Sequence, residues 1–198
     1  MRIYLIRHGE TVLNQRGCYY GESDAALNEK GVNQAQAFRA FFSEFRFDYV
    51  ISSPLKRARN TAEIILGDGE EKKIITDCRL KEQNFGIFEG YTYKELTEKY
   101  PEKLRQWNEN YSDFRIPGGE SFRDVRKRVE DFALDLPRGD GVMLLAAHKG
   151  TLGHFMAAVL HMPLEGYWNF VFEQGCYNCI DMEDGYAIVR KLNQSIFK

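Results

Sequence analysis

The chain has 198 residues, the size of one ordinary globular domain and enough to bury a core without disulfides or a structural metal. Its 27 Lys and Arg against 29 Asp and Glu leave a net charge of -2, so no global field points to nucleic acid or a membrane surface, and any anion must be recognised locally. The longest apolar stretch, Val142 to Ala147, falls far short of the roughly 20 residues of a membrane helix. A strand starting at Arg2 leaves no room for a signal peptide, so a soluble cytoplasmic protein is expected.

In chain order, Arg2 to Ile6 reads as a strand that runs into Arg7-His8-Gly9-Glu10-Thr11. A guanidinium and an imidazole then stand at a strand's carboxyl end, where open parallel sheets keep their ligand crevice; Gly9 allows a sharp turn there. From Asn28, the recurrence of Val32, Ala35, Phe38, Phe42 and Phe45 predicts an amphipathic helix without site chemistry. Tyr49-Val50-Ile51 predicts a second strand. After it, Ser53 as N-cap and Pro54 in the first helical position predict a helix through about Leu66, with Arg57 in a first turn whose amides favour an anion.

Between Cys78 and Leu136 the strand-helix alternation breaks into a mostly helical excursion rich in aromatics, among them Phe85, Phe88, Tyr91, Tyr93, Tyr100, Trp107, Tyr111 and Phe114. It reads as a helical cap insertion, approximately residues 78–136, within a single domain of residues 1–198. Near its end Ser121 is expected to cap a helix with Phe122, Val125, Val129, Phe132 and Leu136 inward, leaving Arg123, Lys127 and Arg128 on a solvated face. Val142 to Ala147 predicts a third strand, leading into His148-Lys149-Gly150. Thr151 is expected to cap the last long helix, and Cys176 to Asp181 with Tyr186 to Leu192 reads as a hairpin around Glu183-Asp184-Gly185. Together these predict an α/β fold: a mostly parallel central sheet with helices on both faces. Cys18, Cys78, Cys176 and Cys179 are too scattered for a disulfide framework, and the lone Cys176-x-x-Cys179 has no second pair, so free thiols are expected.

Three strand ends thus deliver Arg7, His8, Arg57 and His148 toward one crevice. A phosphate monoester carries about 1.5 to 2 negative charges near neutral pH, and its transfer is catalysed mainly by positioning and fixed positive charge. Two arginines supply planar forks of donors for phosphate oxygens, and a second histidine adds a donor and, if protonated, a charge. His8 is the candidate nucleophile, provided one ring nitrogen is bare while the other is held by a hydrogen bond. Glu82, in Lys81-Glu82-Gln83-Asn84-Phe85-Gly86, is placed to give the leaving group a proton, helped by any surroundings that raise its pKa. Lys149 either reaches a second anionic group or points to solvent. Thr11 and Asn14 either donate to phosphate or cap a local turn, and Glu10 and Glu22 either line the entrance or are ordinary surface carboxylates. His154 and His161, without acidic or cysteine partners nearby, read as structural or surface residues.

Arg7-His8-Gly9-Glu10, Asn14, Ser53-Pro54-Leu55-Lys56-Arg57-Ala58, Glu82 before Phe85-Gly86, and His148 form an ordered set over nearly the whole chain. In this the sequence resembles the histidine phosphatase superfamily, the phosphoglycerate mutase-like fold, and within it the phosphatase branch. The resemblance implies a phosphohistidine on His8, a pocket of Arg7, Arg57 and His148, Glu82 as acid and base, and no metal or other cofactor. It implies a small-molecule phosphomonoester as substrate, with no nucleic-acid or membrane partner. No His-Glu-x-x-His, P-loop or paired-Asp metal loop is present. Tyr20 before Gly21, where relatives commonly carry glutamine, and Lys149, where they carry a small residue, are departures that bear on substrate binding. Pro117-Gly118-Gly119-Glu120-Ser121 is similar to a segment of α-ribazole phosphatases that other small phosphatases also carry. Phosphoglycerate mutases usually have longer insertions around the pocket. A mutase and a non-catalytic phosphate-binding module remain as alternatives to the hydrolase.

Overall fold

The computed structural model describes residues 1–67 and 73–197. Six strands, β1 (Arg2–Arg7), β2 (Tyr49–Ser52), β3 (Ile74–Thr76), β4 (Val142–Ala147), β5 (Cys176–Glu183) and β6 (Tyr186–Ser195), form one sheet in the order β3-β2-β4-β1-β5-β6. The first four in that order run parallel, and β5 and β6 are antiparallel. Asp184 and Gly185, both at positive φ (48° and 86°), make the tight turn that joins the last two. The expected α/β architecture is present. The short strand β3, just before the excursion, was not among the strands expected from sequence; only Ile74 to Thr76 pair there, too few residues to show an alternation.

Strand side chains alternate between two cores, as a sheet buried on both faces requires. Ile3, Leu5, Met143, Leu145 and Ala147 face the helices α6 (Phe122–Leu134) and α7 (Lys149–Val159), meeting Val125, Val129, Leu152, Phe155 and Met156. Tyr4, Ile6, Leu144 and Ala146 face α2 (Glu29–Phe41) and α3 (Lys56–Leu66) through Phe38, Ala62 and Ile65. A third cluster lies in the excursion, where Phe88, Leu96, Leu104 and Ile116 are buried under Tyr19, Phe85, Trp107 and Phe114. Leu96 and Leu104 come from α4 (Tyr93–Lys99) and α5 (Pro101–Glu109) of the excursion.

Three local expectations are corrected. Helix α3 begins at Lys56, with Leu55 in the N-cap position and no side-chain cap; Ser53 lies two residues earlier, its Oγ 3.3 Å from the Leu55 amide and 2.8 Å from His148 Nε2. The N-cap position of α7 is His148, not Thr151; the buried Thr151 hydroxyl donates instead to the Lys81 carbonyl (2.8 Å). Arg128 is not on a solvated face: its guanidinium donates to the carbonyls of Arg79, Lys81 and Glu82 and pairs with Glu120 at 2.8 Å. Ser121 does cap α6, in a box with Asp124. Among the described residues no helix is long and apolar enough to cross a membrane.

Candidate active site

The β1–β4 register builds the centre of the site. Arg7 lies opposite Ala147, so the next residues, His8 and His148, leave neighbouring parallel strands side by side with ring centroids 5.1 Å apart. Beyond β2, Ser53 continues the ladder through its amide to the Ala146 carbonyl (3.0 Å). Gly9 is required by a close approach: a Cβ there would strike the Gly31 carbonyl in the first turn of α2. The Gly9 amide donates to Thr61 Oγ1 (3.0 Å), which donates to the Arg57 carbonyl, tying the β1 turn to α3.

His8 is buried. Its Nδ1 lies 2.7 Å from the Gly9 carbonyl, an acceptor only, so Nδ1 carries the proton and Nε2 presents a free lone pair. Burial, reinforced by Arg57 and Arg7, holds its pKa well below the ordinary imidazole value. His148 is fully buried. Arg57 Nε donates to its Nδ1 (3.2 Å), which leaves the proton on Nε2, 2.8 Å from Ser53 Oγ. Burial and the Arg57 charge hold it neutral too. The possibility of a protonated, charge-donating His148 is therefore corrected for the free protein: it is a neutral acceptor that orients Arg57.

Arg57 is fully buried. Its terminal nitrogens donate to the carbonyls of Ser23 and Gly21, each at 2.9 Å, and its guanidinium stacks over Tyr20, 4.5 Å from the ring centroid. Arg7 donates to the Phe172 carbonyl (2.9 Å), and its buried Nε has no partner among the described residues. Burial lowers the pKa of both arginines. Among the described residues neither forms an ion pair, whereas Arg2, Arg79, Arg123, Arg126, Arg128 and Arg190 all do. The Glu82 carboxylate accepts the amides of Gln83 and Gly150, both at 3.0 Å, at the first turn of α7, close enough for its charge to act on Arg7 and Arg57.

The structure thus brings together Arg7, His8, Arg57, Glu82 and His148. The remaining sequence candidates stand behind or outside them. Thr11 is buried, with its hydroxyl 2.7 Å from Tyr20 Oη and 3.1 Å from Asn14 Oδ1. Thr11 and Asn14 form the capping box of α1 (Val12–Gln15), and Asn14 Oδ1 also accepts from Gln174 at 2.8 Å. Tyr20 and Gly21 support Arg57 from behind; a Cβ on Gly21 would strike the Gln83 carbonyl. Glu22 is exposed and 3.4 Å from Lys81, and Glu10 is occupied by Lys30 (2.8 Å) and Asn28. Lys149 is exposed, with no ion-pair partner among the described residues. The amides expected to face an anion at α3 are partly used by the protein itself, since Lys56 N donates to Asp24 (2.7 Å). A cavity of about 870 Å³ at the opposite end of the sheet, lined by Met1, Leu134, Val159 and Met182, contains none of these groups. Sequence reasoning missed Ser53 as a partner of His148, as well as Thr61, Glu89, Glu120 and Arg128.

This fold and site define a histidine phosphatase. The chain belongs to the histidine phosphatase superfamily (branch 1), whose family model matches residues 3–195. It is 35% identical over 196 residues to the adenosylcobalamin/alpha-ribazole phosphatase of Salmonella typhimurium, covering 98% of this chain and 96% of that one. It is 30% identical to phosphoserine phosphatase 1 of Hydrogenobacter thermophilus, over 98% of this chain and 92% of that one. A solved putative alpha-ribazole-5'-P phosphatase from Escherichia coli superposes with a TM-score of 0.93 at 33% identity, over 98% of this chain and 96% of the other.

Proposed function

We propose that the protein is a metal-independent phosphomonoester hydrolase acting on a small phosphorylated metabolite through a phosphohistidine at His8 Nε2. The observation that carries this reading is a buried guanidinium, Arg57, and a partly buried one, Arg7, neither with a carboxylate partner among the described residues, beside a histidine whose outer nitrogen is bare. Burying an unpaired cation costs several kcal/mol in order-of-magnitude terms, and a bound phosphate would offset that cost while receiving undiverted charge.

In the first step the Nε2 lone pair forms a bond to phosphorus as the ester P–O bond breaks. The departing oxygen takes its proton from the Glu82 carboxyl. Arg7 and Arg57 hold the equatorial oxygens, where negative charge is spread. In the second step the Glu82 carboxylate accepts a proton from water, whose oxygen attacks phosphorus while the N–P bond breaks, releasing inorganic phosphate and restoring neutral His8. Hydrolysis rather than transfer is supported by the match, along nearly their whole lengths, to relatives named as phosphatases. Their names make α-ribazole phosphate and phosphoserine the first substrates to try. Four free cysteines fit a reducing, cytoplasmic setting.

Acid quenching with 32P-labelled substrate should trap acid-labile, base-stable phosphate on the wild type and none on His8→Ala. Turnover should fall by roughly 10⁴-fold or more in that variant and persist in excess EDTA in the wild type. Phosphate trapped on a serine or aspartate, or EDTA inactivation reversed by magnesium or zinc, would overturn the mechanism.

A further inference from the structure

Resting on the phosphatase reading above, we propose that Glu89 is a positioning residue for the phosphoryl pocket, acting through Arg57. Among the described residues Arg57 has no carboxylate partner, and its place is set by neutral acceptors: the carbonyls of Gly21 and Ser23, each at 2.9 Å, and His148 Nδ1 at 3.2 Å. Both carbonyls belong to one short stretch outside any helix or strand. Such a stretch must satisfy its backbone amides elsewhere, and here three consecutive amides converge on one side chain. Glu89 Oε1 accepts from Gly21 (2.7 Å) and Glu22 (3.1 Å), and Oε2 accepts from Ser23 (3.1 Å). Successive amides pointing to one concavity make an anion nest, and the chain fills it with its own carboxylate.

The same carboxylate ties this stretch to the excursion. Its Oε1 also accepts the Phe85 amide (3.0 Å), three residues beyond Glu82. Pairing between Tyr19 and the carbonyl of Tyr91 (2.9 Å), and between Gly90 and the carbonyl of Tyr19 (2.8 Å), continues the seam. The amides of residues 21–23 point to Glu89 while the carbonyls of 21 and 23 point to Arg57. One charge thus orients the peptide planes that aim the guanidinium, and it does so without forming an ion pair that would spend the guanidinium charge. One carboxylate thus links the excursion to the stretch that holds Arg57.

Glu89→Gln keeps the shape but replaces one acceptor oxygen with a donor that faces amides. It is compared with Arg57→Ala and with the double variant, using p-nitrophenyl phosphate and an alkyl phosphate at a temperature where each variant is folded by circular dichroism. The expected result is a fall in kcat/KM on the order of 10- to 100-fold. That factor should be the same for both esters, because Arg57 holds the transferred group rather than the leaving group, and inhibition by vanadate should weaken in parallel. In the Arg57→Ala background Glu89→Gln should add less than about twofold. Wild-type kinetics and vanadate inhibition with only a lower Tm would overturn the proposal, as would a full further loss on top of Arg57→Ala. If Glu89→Gln does not fold, Glu89→Asp, which keeps the charge but shortens the reach, carries the same comparisons. Absence of turnover in the wild type would instead overturn the phosphatase reading on which the proposal rests.

Discussion

Strand β1 begins at Arg2 and ends at Arg7, roughly 17 Å apart at the rise of an extended chain. At the first end Arg2 grips Asp181 with two bonds of 2.7 and 2.9 Å, and Arg190 approaches the same carboxylate at 2.7 Å. The Arg2 pKa is raised by that contact, and Asp181 is held down to about 2 by Arg2 and Arg190. At the other end Arg7 has one carbonyl and, among the described residues, no carboxylate, and burial lowers its pKa. A guanidinium that has found a carboxylate ties neighbouring strands of the sheet together; one without a carboxylate has its charge available to a ligand. The first arrangement stabilises the fold modestly, and the second costs stability.

The largest effect that tests this contrast falls on the carboxylate nearest the unpaired end. Glu82→Gln should lower the rate with an alkyl phosphate by about 10² to 10⁴, the usual worth of a general acid, while barely changing the first-step burst with p-nitrophenyl phosphate, whose leaving group is already a stable anion. Equal losses on both esters in burst kinetics would remove Glu82 from the acid role.

Next comes a pair of substitutions with opposite signatures. Arg7→Met should leave the unliganded protein as stable as the wild type or more so, because it deletes a partly buried charge that has no carboxylate partner among the described residues. It should also abolish the rise in Tm that added vanadate gives the wild type. Asp181→Asn should cost about 1 kcal/mol, small because both of its arginines are about half exposed (49% and 48%), and leave kcat unchanged. Thermal scans with and without vanadate decide it, and an intact vanadate shift in Arg7→Met would break the comparison.

The two ends should also separate on a pH axis. His8, His148 and His154 sit below their ordinary value, His154 at about 3, with burial the leading cause in each. The unfolded chain takes up their protons as pH falls through about 6.5 while the folded state refuses them, so their contribution is whole above that pH and is lost below it, at up to about 1.4 kcal/mol per unit for each. The Asp181 contribution is present above about pH 4 and is lost only as pH falls toward about 2. Urea titrations at pH 7, 6 and 5 should therefore show declining stability, and His154→Phe should flatten that slope by one proton. A flat profile across this range would refute it.

The smallest effect is expected at Lys149. Alanine there should raise KM a few-fold for substrates with a second anionic group and leave p-nitrophenyl phosphate unaffected, the pattern of binding felt equally in ground and transition states. Identical kinetics across a substrate panel would assign the ammonium to solvent alone.

The strand ends were legible in the sequence because each is a short apolar run that stops at a charged or imidazole side chain, and the parallel sheet follows from the alternation of strands and helices. The hairpin turn was legible from Asp184-Gly185, whose residue types favour positive φ. The caps were not: Ser53 and Thr151 are good capping residues by local propensity, but their hydroxyls are used by His148 and the Lys81 carbonyl, partners brought in from distant parts of the chain. Arg128 fell outside the helix's apolar stripe and so resembled a solvated residue. The carbonyls of Arg79, Lys81 and Glu82 come from a turn 46 to 49 residues away, which no helical periodicity encodes.

By itself, the sequence singled out the candidate site residues, because guanidinium and imidazole have few roles at the carboxyl end of a buried strand. Tertiary structure alone decided their state. It set the β1–β4 register that puts two imidazoles side by side, left Arg7 and Arg57 without a carboxylate partner among the described residues, buried both histidines where the charged form is disfavoured, and sent Glu89 to the amides of the stretch whose carbonyls hold Arg57. Charge and protonation depend on burial and on partners brought in from distant parts of the chain, and a linear pattern records neither.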